Sequence, residues 1–95
     1  MANRLDRGGR VMKKLKLYLV SQNEVNGYDT FDSFVIACES ESIAKNTHPY
    51  GDTLAETIGY SSWPTDSSVV TVEFIGNASK TITEQQIICA SFNAG

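Results

Sequence analysis

Hydrophobic and polar positions alternate with a period of two in two stretches of the chain. Residues 13–21 place three leucines on one side of the segment and Lys, Tyr and Val on the other, and residues 68–75 alternate in the same way. Alternation of this kind predicts a β-strand. Residues 33–38 are apolar on both faces, which is typical of a central strand. With residues 87–92 as the last strand, the pattern predicts four strands.

Between residues 39 and 47 the pattern changes to that of a short helix. Ser40 or Ser42 can cap its start, and the His-Pro pair at residues 48–49 ends it because the residue before a proline avoids the helical region. The sequence therefore predicts one helix between the second and third strands.

Turn signals separate the predicted elements. Asn-Gly at residues 26–27 and Gly-Asn at residues 76–77 each predict a turn. Residues 53–58 are compatible with a helical turn, and the Thr-x-x-Gln spacing of residues 83–86 fits the capping box of another.

The element order is strand, strand, helix, long irregular stretch, strand, strand. This order predicts an α+β fold: a four-stranded antiparallel sheet, one short helix packed on one face, and a long irregular loop before the third strand. Residues 22–32 form the polar connection of the first hairpin. The second face also needs cover, either from the loop that carries Trp63 or from a second subunit.

The first eleven residues differ from the rest. Residues 1–11 lack hydrophobic periodicity and are predicted to be a disordered leader or a non-native extension, whereas residues 12–95 form a single α+β domain. Both Met1 and Met12 remain candidate starts, since Gly-Gly-Arg before Met12 can be encoded by a purine-rich stretch like a ribosome-binding site. The alternative is a basic arm that binds a nucleic acid or a partner.

Composition and charge narrow the function classes. With 95 residues, 41% hydrophobic and 20% charged, the chain reads as one ordered globular domain. No apolar run approaches the ~20 residues of a membrane span, so no membrane partner is predicted. The net charge is −3, and because residues 1–11 carry two net positive charges the remainder carries −5. An acidic domain is a poor nucleic-acid binder, so no sequence-specific nucleic-acid partner is predicted.

The small size and the two cysteines lead to further expectations. A domain of this size has little room for a deep pocket of its own, which favours a homo-oligomer. Cys38 and Cys89 lie in strand-like stretches and are predicted to be buried free thiols, consistent with a reducing cytosol. Neither has a second Cys or His at ligand spacing, so no metal and no cofactor are predicted.

Two regions hold the candidate chemistry. Residues 26–33 contain Asp29 and Asp32, which either serve the turn or form part of a binding surface with Tyr28 and Phe31. His48 is the only histidine and is either part of a site or a helix C-terminal residue favoured by the helix dipole. No nucleophile motif accompanies it, so we predict no catalytic residue and no enzyme.

Several segments resemble an uncharacterised family of small phage and prophage proteins. The resemblance rests on Gly-Tyr-Asp-Thr-Phe-Asp-Ser at residues 27–33, Ala-Cys-Glu-Ser at residues 37–40, Ala44-x-x-x-His48-Pro49, Trp63, and Ser-Phe-Asn-Ala-Gly at residues 91–95. It implies a phage source and no particular chemistry. Small accessory phage proteins often counter host defence, some by sequestering cyclic nucleotide or cyclic ADP-ribose signals and others by blocking an effector.

The resulting hypothesis is a cytoplasmic anti-defence protein that sequesters a nucleotide-derived immune signal without catalysis. Its ligand would contact eight residues: Tyr28, Asp29, Thr30, Asp32, His48, Tyr50, Trp63 and Asn93. Two alternatives stay open. One is an acidic protein–protein inhibitor of a host defence effector, like an anti-CRISPR protein, and the other is a small nucleotide-signal hydrolase using Asp29, Asp32 and His48.

Overall fold

The computed structural model describes residues 4–5, 11–12, 14–59 and 61–93. It contains a four-stranded antiparallel sheet and one short helix, so the predicted α+β fold is confirmed. The elements in chain order are β1 (Arg4–Leu5), β2 (Val11–Met12), β3 (Lys16–Gln22), β4 (Thr30–Cys38), α1 (Glu41–Lys45), a 3₁₀ turn (Ser67–Val69), β5 (Val70–Asn77) and β6 (Gln86–Asn93).

The main sheet has the strand order β5-β3-β4-β6, and every neighbouring pair is antiparallel. The hairpin β3–β4 therefore lies at the centre, and β5 and β6 form the two edges. Strands β1 and β2 pair with each other in a separate two-stranded ladder. The predicted leader, residues 1–11, falls mostly outside the described residues.

One face of the sheet carries the core. Successive strand side chains point to opposite faces, and on β3 and β4 the buried set is Tyr18 and Val20 with Phe34 and Ile36. These residues form one cluster with Ala44 of α1 and with two residues of the long loop, Leu54 and Trp63. Helix and loop thus cover the same face, so of the two covers considered for the opposite face, the loop and a second subunit, the loop does not supply it.

The other face of the sheet contributes nothing to that cluster. Leu17, Leu19 and Val35 point to it and are half-buried. A row of hydroxyl side chains crosses all four strands beside them, because Ser21 pairs with both Thr71 and Ser33, and Ser33 pairs with Ser91.

The helix begins where the sequence indicated. Ser40 is the N-cap, and its Oγ accepts a hydrogen bond from the amide of Ile43 at 3.3 Å. Lys45 lies in the last turn, where a cation is favoured by the helix dipole. The chain then turns through Thr47, whose Oγ1 donates to the carbonyl of Ile43 at 2.6 Å. This turn aims the following residues at the end of the sheet where β4 begins.

Three local predictions were wrong. Gly76 and Asn77 lie within β5 and do not turn the chain. No helical turn forms at residues 83–86, because Gln86 already begins β6. Cys38 is buried as expected, but Cys89 is exposed because it lies on an edge strand. The helical turn expected at residues 53–58 is present, with the amides of Glu56 and Thr57 bonded three residues back.

Candidate functional site

A single glutamine organises the connection between β3 and β4. The Oε1 of Gln22 accepts hydrogen bonds from the amides of Glu24 and Val25 at 2.7 and 2.8 Å. Its Nε2 donates to the carbonyls of Val25 and Phe31 at 2.7 and 2.8 Å. Because one side chain closes the loop at both ends, Gln22 determines where Tyr28 and Asp29 emerge. Sequence reasoning missed this residue.

Four of the predicted polar residues lie together where β4 begins and β6 ends: Asp29, Thr30, Asp32 and Asn93. Asp29 adopts a φ of 61°, and its amide donates to the carbonyl of Asn93 at 2.6 Å. The Nδ2 of Asn93 donates to Asp32 Oδ1 at 3.0 Å and to Thr30 Oγ1 at 3.4 Å. Thr30 is buried, whereas the side chains of Asp29 and Asp32 are exposed.

His48 stands behind this cluster as a buried, hydrogen-bonded ring. Its Nδ1 accepts from the amide of Tyr50 at 3.0 Å, which leaves the proton on Nε2 to be donated to Ser62 Oγ at 3.2 Å. Burial lowers the pKa of His48, and the charge of Asp52 opposes this effect only in part. The reading of His48 as a charged helix-terminal residue is therefore wrong, since the environment favours the neutral ring.

Aromatic rings connect the histidine to the protein surface. The ring of Phe31 lies 5.5 Å from Tyr50, 4.7 Å from Phe92 and 6.3 Å from His48, measured between centroids. Tyr50 is 58% exposed and Phe92 is 45% exposed, whereas Phe31 beneath them is buried. We call these three residues, Phe31, Tyr50 and Phe92, the aromatic patch. Only Tyr50 was among the predicted site residues.

Trp63 lies in the core and not in the aromatic patch. It is 1% exposed, and its ring packs against Phe34 with centroids 5.1 Å apart. Its Nε1 has no hydrogen-bond acceptor among the described residues. The edge of the tryptophan also lines an open cleft of about 400 Å³, whose polar members include Glu24 and Asp66. The tryptophan loop still reaches the site through its backbone, because the carbonyl of Ser62 accepts from the amide of Phe31 at 3.0 Å.

The remaining predicted residue, Tyr28, lies on the loop next to Asp29. It is 79% exposed, the most exposed of the large apolar side chains that the structure describes. The structure thus gathers six predicted residues at one end of the sheet, with Tyr28 at its margin and Trp63 in the core. The six are Asp29, Thr30, Asp32, His48, Tyr50 and Asn93.

This end of the sheet is acidic. Residues 22–32, 48–69 and 91–93 contain Glu24, Asp29, Asp32, Asp52, Glu56 and Asp66 and neither lysine nor arginine. Lys14 and Lys16 lie at the opposite end, where Lys16 pairs with Cys38 and Asn77. Glu39 and Glu84 also lie toward that end, so its charges are mixed, whereas the segments named above carry acidic side chains alone.

The described residues offer no group of three or more histidine, cysteine or acidic side chains that could hold a metal ion. None of the helices among them is long and apolar enough to cross a membrane. The thiol of Cys38 has its pKa raised by burial, which favours the unreactive protonated form.

No family model, curated protein or solved structure matches this chain. The resemblance to small phage proteins therefore rests on the quoted segments alone.

Replacing Gln22 with alanine is expected to lower the free energy of unfolding by about 1–2 kcal/mol, because two donors and two acceptors lose their partner in a partly buried loop. Chemical denaturation measures the loss, and amide exchange at Glu24 and Val25 should accelerate. The control is Gln86→Ala, an exposed glutamine on β6 whose amide only contacts the carbonyl of Glu84. Equal losses in the two variants would contradict the role given to Gln22.

Proposed function

We propose that this protein is a non-catalytic binding protein that sequesters a nucleotide-derived signal at the aromatic patch. By removing a signal of the host immune response, it would act as a phage anti-defence protein. The observation that carries the proposal is the exposure of the Tyr50 and Phe92 rings at the end of the sheet where the hydrogen-bonded pair of Asp32 and Asn93 also lies. Two accessible rings, with an amide and a carboxylate at the same end of the sheet, suit a ligand that has both flat bases and hydroxyl groups.

The aromatic patch and the nearby polar side chains would each contribute a different interaction with the ligand. Stacking of a base on an aromatic side chain is worth about 1–3 kcal/mol. The carboxylate of Asp32 can accept hydrogen bonds from ribose hydroxyls or from exocyclic amino groups. Phe31 and His48 support Tyr50 from below, so the ring presented to a ligand is held in place before binding.

The acidic surroundings favour recognition through bases and riboses over recognition through phosphates. Asp29, Asp32 and Asp52 would repel a free anion, and no lysine or arginine lies in the surrounding segments. The patch is also open to solvent. A second subunit that supplied a wall would shield the apolar faces of a bound base from water.

The burial and the hydrogen bonds of His48, the candidate acid–base group, favour binding without turnover. Both nitrogens of His48 are engaged by the protein, and the ring is 0% exposed. It cannot reach a ligand on the surface without local rearrangement. The third hypothesis, a hydrolase using Asp29, Asp32 and His48, has therefore the least support.

Calorimetry against cyclic dinucleotides, cyclic trinucleotides and cyclic ADP-ribose isomers tests the proposal. We expect at least one to bind, and we expect Tyr50→Ala combined with Phe92→Ala to weaken that binding about 30-fold or more, because two stacking contacts are lost. The matched control is Phe74→Ala, a 55% exposed aromatic residue on the opposite edge strand, which should leave binding unchanged. Absence of heat with every ligand of the panel would refute the proposal.

The acidic end of the sheet supports a second candidate, inhibition of a host defence effector through its basic groove. Such a surface can mimic nucleic acid and steer association electrostatically. On this hypothesis, inhibition of a panel of purified defence nucleases should fall steeply with salt. Asp29→Asn combined with Asp32→Asn should weaken it, whereas Glu84→Gln at the other end of the sheet should not.

A further inference from the structure

Strand β6 forms an edge of the sheet and lacks two of the features that usually protect edges, charged side chains and proline. It consists of Gln86–Asn93 and contains no charged residue and no proline. Every residue in it is exposed except Ile87 and Asn93, which are half-buried. Edge strands present unpaired backbone amides and carbonyls, and natural proteins commonly blunt them with charges or prolines. An uncharged edge of eight residues therefore indicates a strand that pairs with another chain.

The opposite edge differs in a way that identifies β6 as the pairing strand. Strand β5 carries the charged residue Glu73 near its middle, whereas β6 carries no charged residue. Antiparallel pairing of β5 with a second β5 about its centre would bring two glutamates close together, which is unfavourable. The same operation on β6 brings together only uncharged side chains, although the whole chain is acidic.

We propose that β6 pairs antiparallel with β6 of a second copy about a two-fold axis at Ala90, giving a continuous eight-stranded sheet. A two-fold axis perpendicular to the sheet keeps equivalent faces on the same side, so Ala90 meets Ala90 of the second copy. Two residues away on either side, Ile88 of one copy lies opposite Phe92 of the other.

This register places the two large apolar side chains that β6 exposes next to each other. Ile88 is 41% exposed and has no partner on β4, because the register passes from Val35–Cys89 to Ile36–Ile87. Phe92 is 45% exposed and belongs to the aromatic patch. The two-fold axis would produce this contact between Ile88 and Phe92 at two equivalent places in the dimer. The self-complementarity of the strand under this operation is the reason to name a second copy as the partner.

The pairing would also change the candidate site. Ile87 and Ile88 of the second copy would lie opposite Asn93 and Phe92, at the rim of the aromatic patch. The second copy would then supply an apolar wall that one chain lacks. The dimer itself does not depend on the proposed ligand, because self-association is measured without one, so either proposal can fail alone.

Two measurements test the dimer. Light scattering on the full chain should show a concentration-dependent rise of the mass from 10.4 kDa to twice that value. Ser91→Lys places a charge on the pairing strand and should keep the protein monomeric. Thr71→Lys, an exposed hydroxyl of the same row on β5, is the matched control and should leave the dimer intact. Circular dichroism confirms that both variants fold.

Cross-linking tests the register. Ala90→Cys in a Cys89→Ser background should form an intermolecular disulfide, because residues directly opposite in antiparallel strands have Cβ atoms about 4.5–5.5 Å apart. Thr71→Cys in the same background should not. A mass of one chain at all concentrations would overturn the proposal, and so would a dimer that survives Ser91→Lys and leaves Ala90→Cys unlinked, since its interface would then lie elsewhere.

Discussion

Replacing Trp63 with alanine is expected to lower the free energy of unfolding by about 3–5 kcal/mol. The indole is 1% exposed and closes the core where the long loop crosses Phe34, so its removal leaves a cavity that the sheet cannot fill. Chemical denaturation gives the loss through the midpoint, provided that the slope is unchanged.

Two further variants separate a core role from a binding role. Tyr28→Ala removes an aromatic residue that is 79% exposed and should change stability by no more than about 0.5 kcal/mol. Trp63→Phe should lower the stability clearly less than Trp63→Ala, because it keeps most of the packing and removes an Nε1 donor for which the described residues offer no acceptor. If Trp63→Ala were instead stable but unable to bind ligand, Trp63 would belong to the binding surface and not to the core.

The sheet could be predicted because its physical signal is local. Alternation along β3 and β5 and the apolar run in β4 follow directly from which faces are buried. The helix could also be predicted from local signals, since Ser40 supplies a capping oxygen and Pro49 follows soon after the end of the helix. The strand order and the choice of face for the long loop could not be read in this way, because they depend on contacts between distant residues.

The aromatic patch could be predicted only in part, for a related reason. Tyr50 was named because it lies in an irregular segment, and Phe31 was expected in the connection of the first hairpin as part of a possible binding surface, but Phe92 looked like an ordinary strand residue. Phe31 and Phe92 meet because they pair across β4 and β6, a register that no local pattern encodes. Trp63 shows the opposite error. A tryptophan in a long loop was predicted to contact the ligand, but it lies in the core.

Gln22 and Cys89 show how position in the sheet overrides residue type. A glutamine at the end of a strand has no distinctive pattern, yet its side chain bonds to backbone groups at residues 24, 25 and 31. A cysteine in an apolar run suggests burial, yet Cys89 is exposed because β6 has no neighbour beyond it within the chain. The exposed edge of β6, which explains why Cys89 is exposed, is also the observation that supports a dimer through β6.

Replacing His48 with alanine is expected to lower the free energy of unfolding by about 2–4 kcal/mol at pH 7.5. The ring is fully buried between Phe31 and Tyr50, and its loss removes the acceptor for the amide of Tyr50 and the donor to Ser62. Denaturation of both proteins measures the difference. The control variant Tyr50→Phe keeps the hydrogen bond from the backbone amide of residue 50 to His48 Nδ1 and should lose much less stability.

The cost of losing His48 should also depend on pH, with a sign fixed by its lowered pKa. The unfolded chain takes up a proton near the ordinary value of 6.5, whereas burial keeps the folded ring neutral to lower pH. Wild type therefore loses stability as pH falls below about 6.5, by at most about 1.4 kcal/mol per pH unit, and His48→Ala lacks this loss. The gap between the two proteins should narrow from pH 7.5 to pH 5.5. A gap that stayed constant or widened would mean that the folded protein binds the proton at least as readily as the unfolded chain, and that His48 is not held neutral by burial.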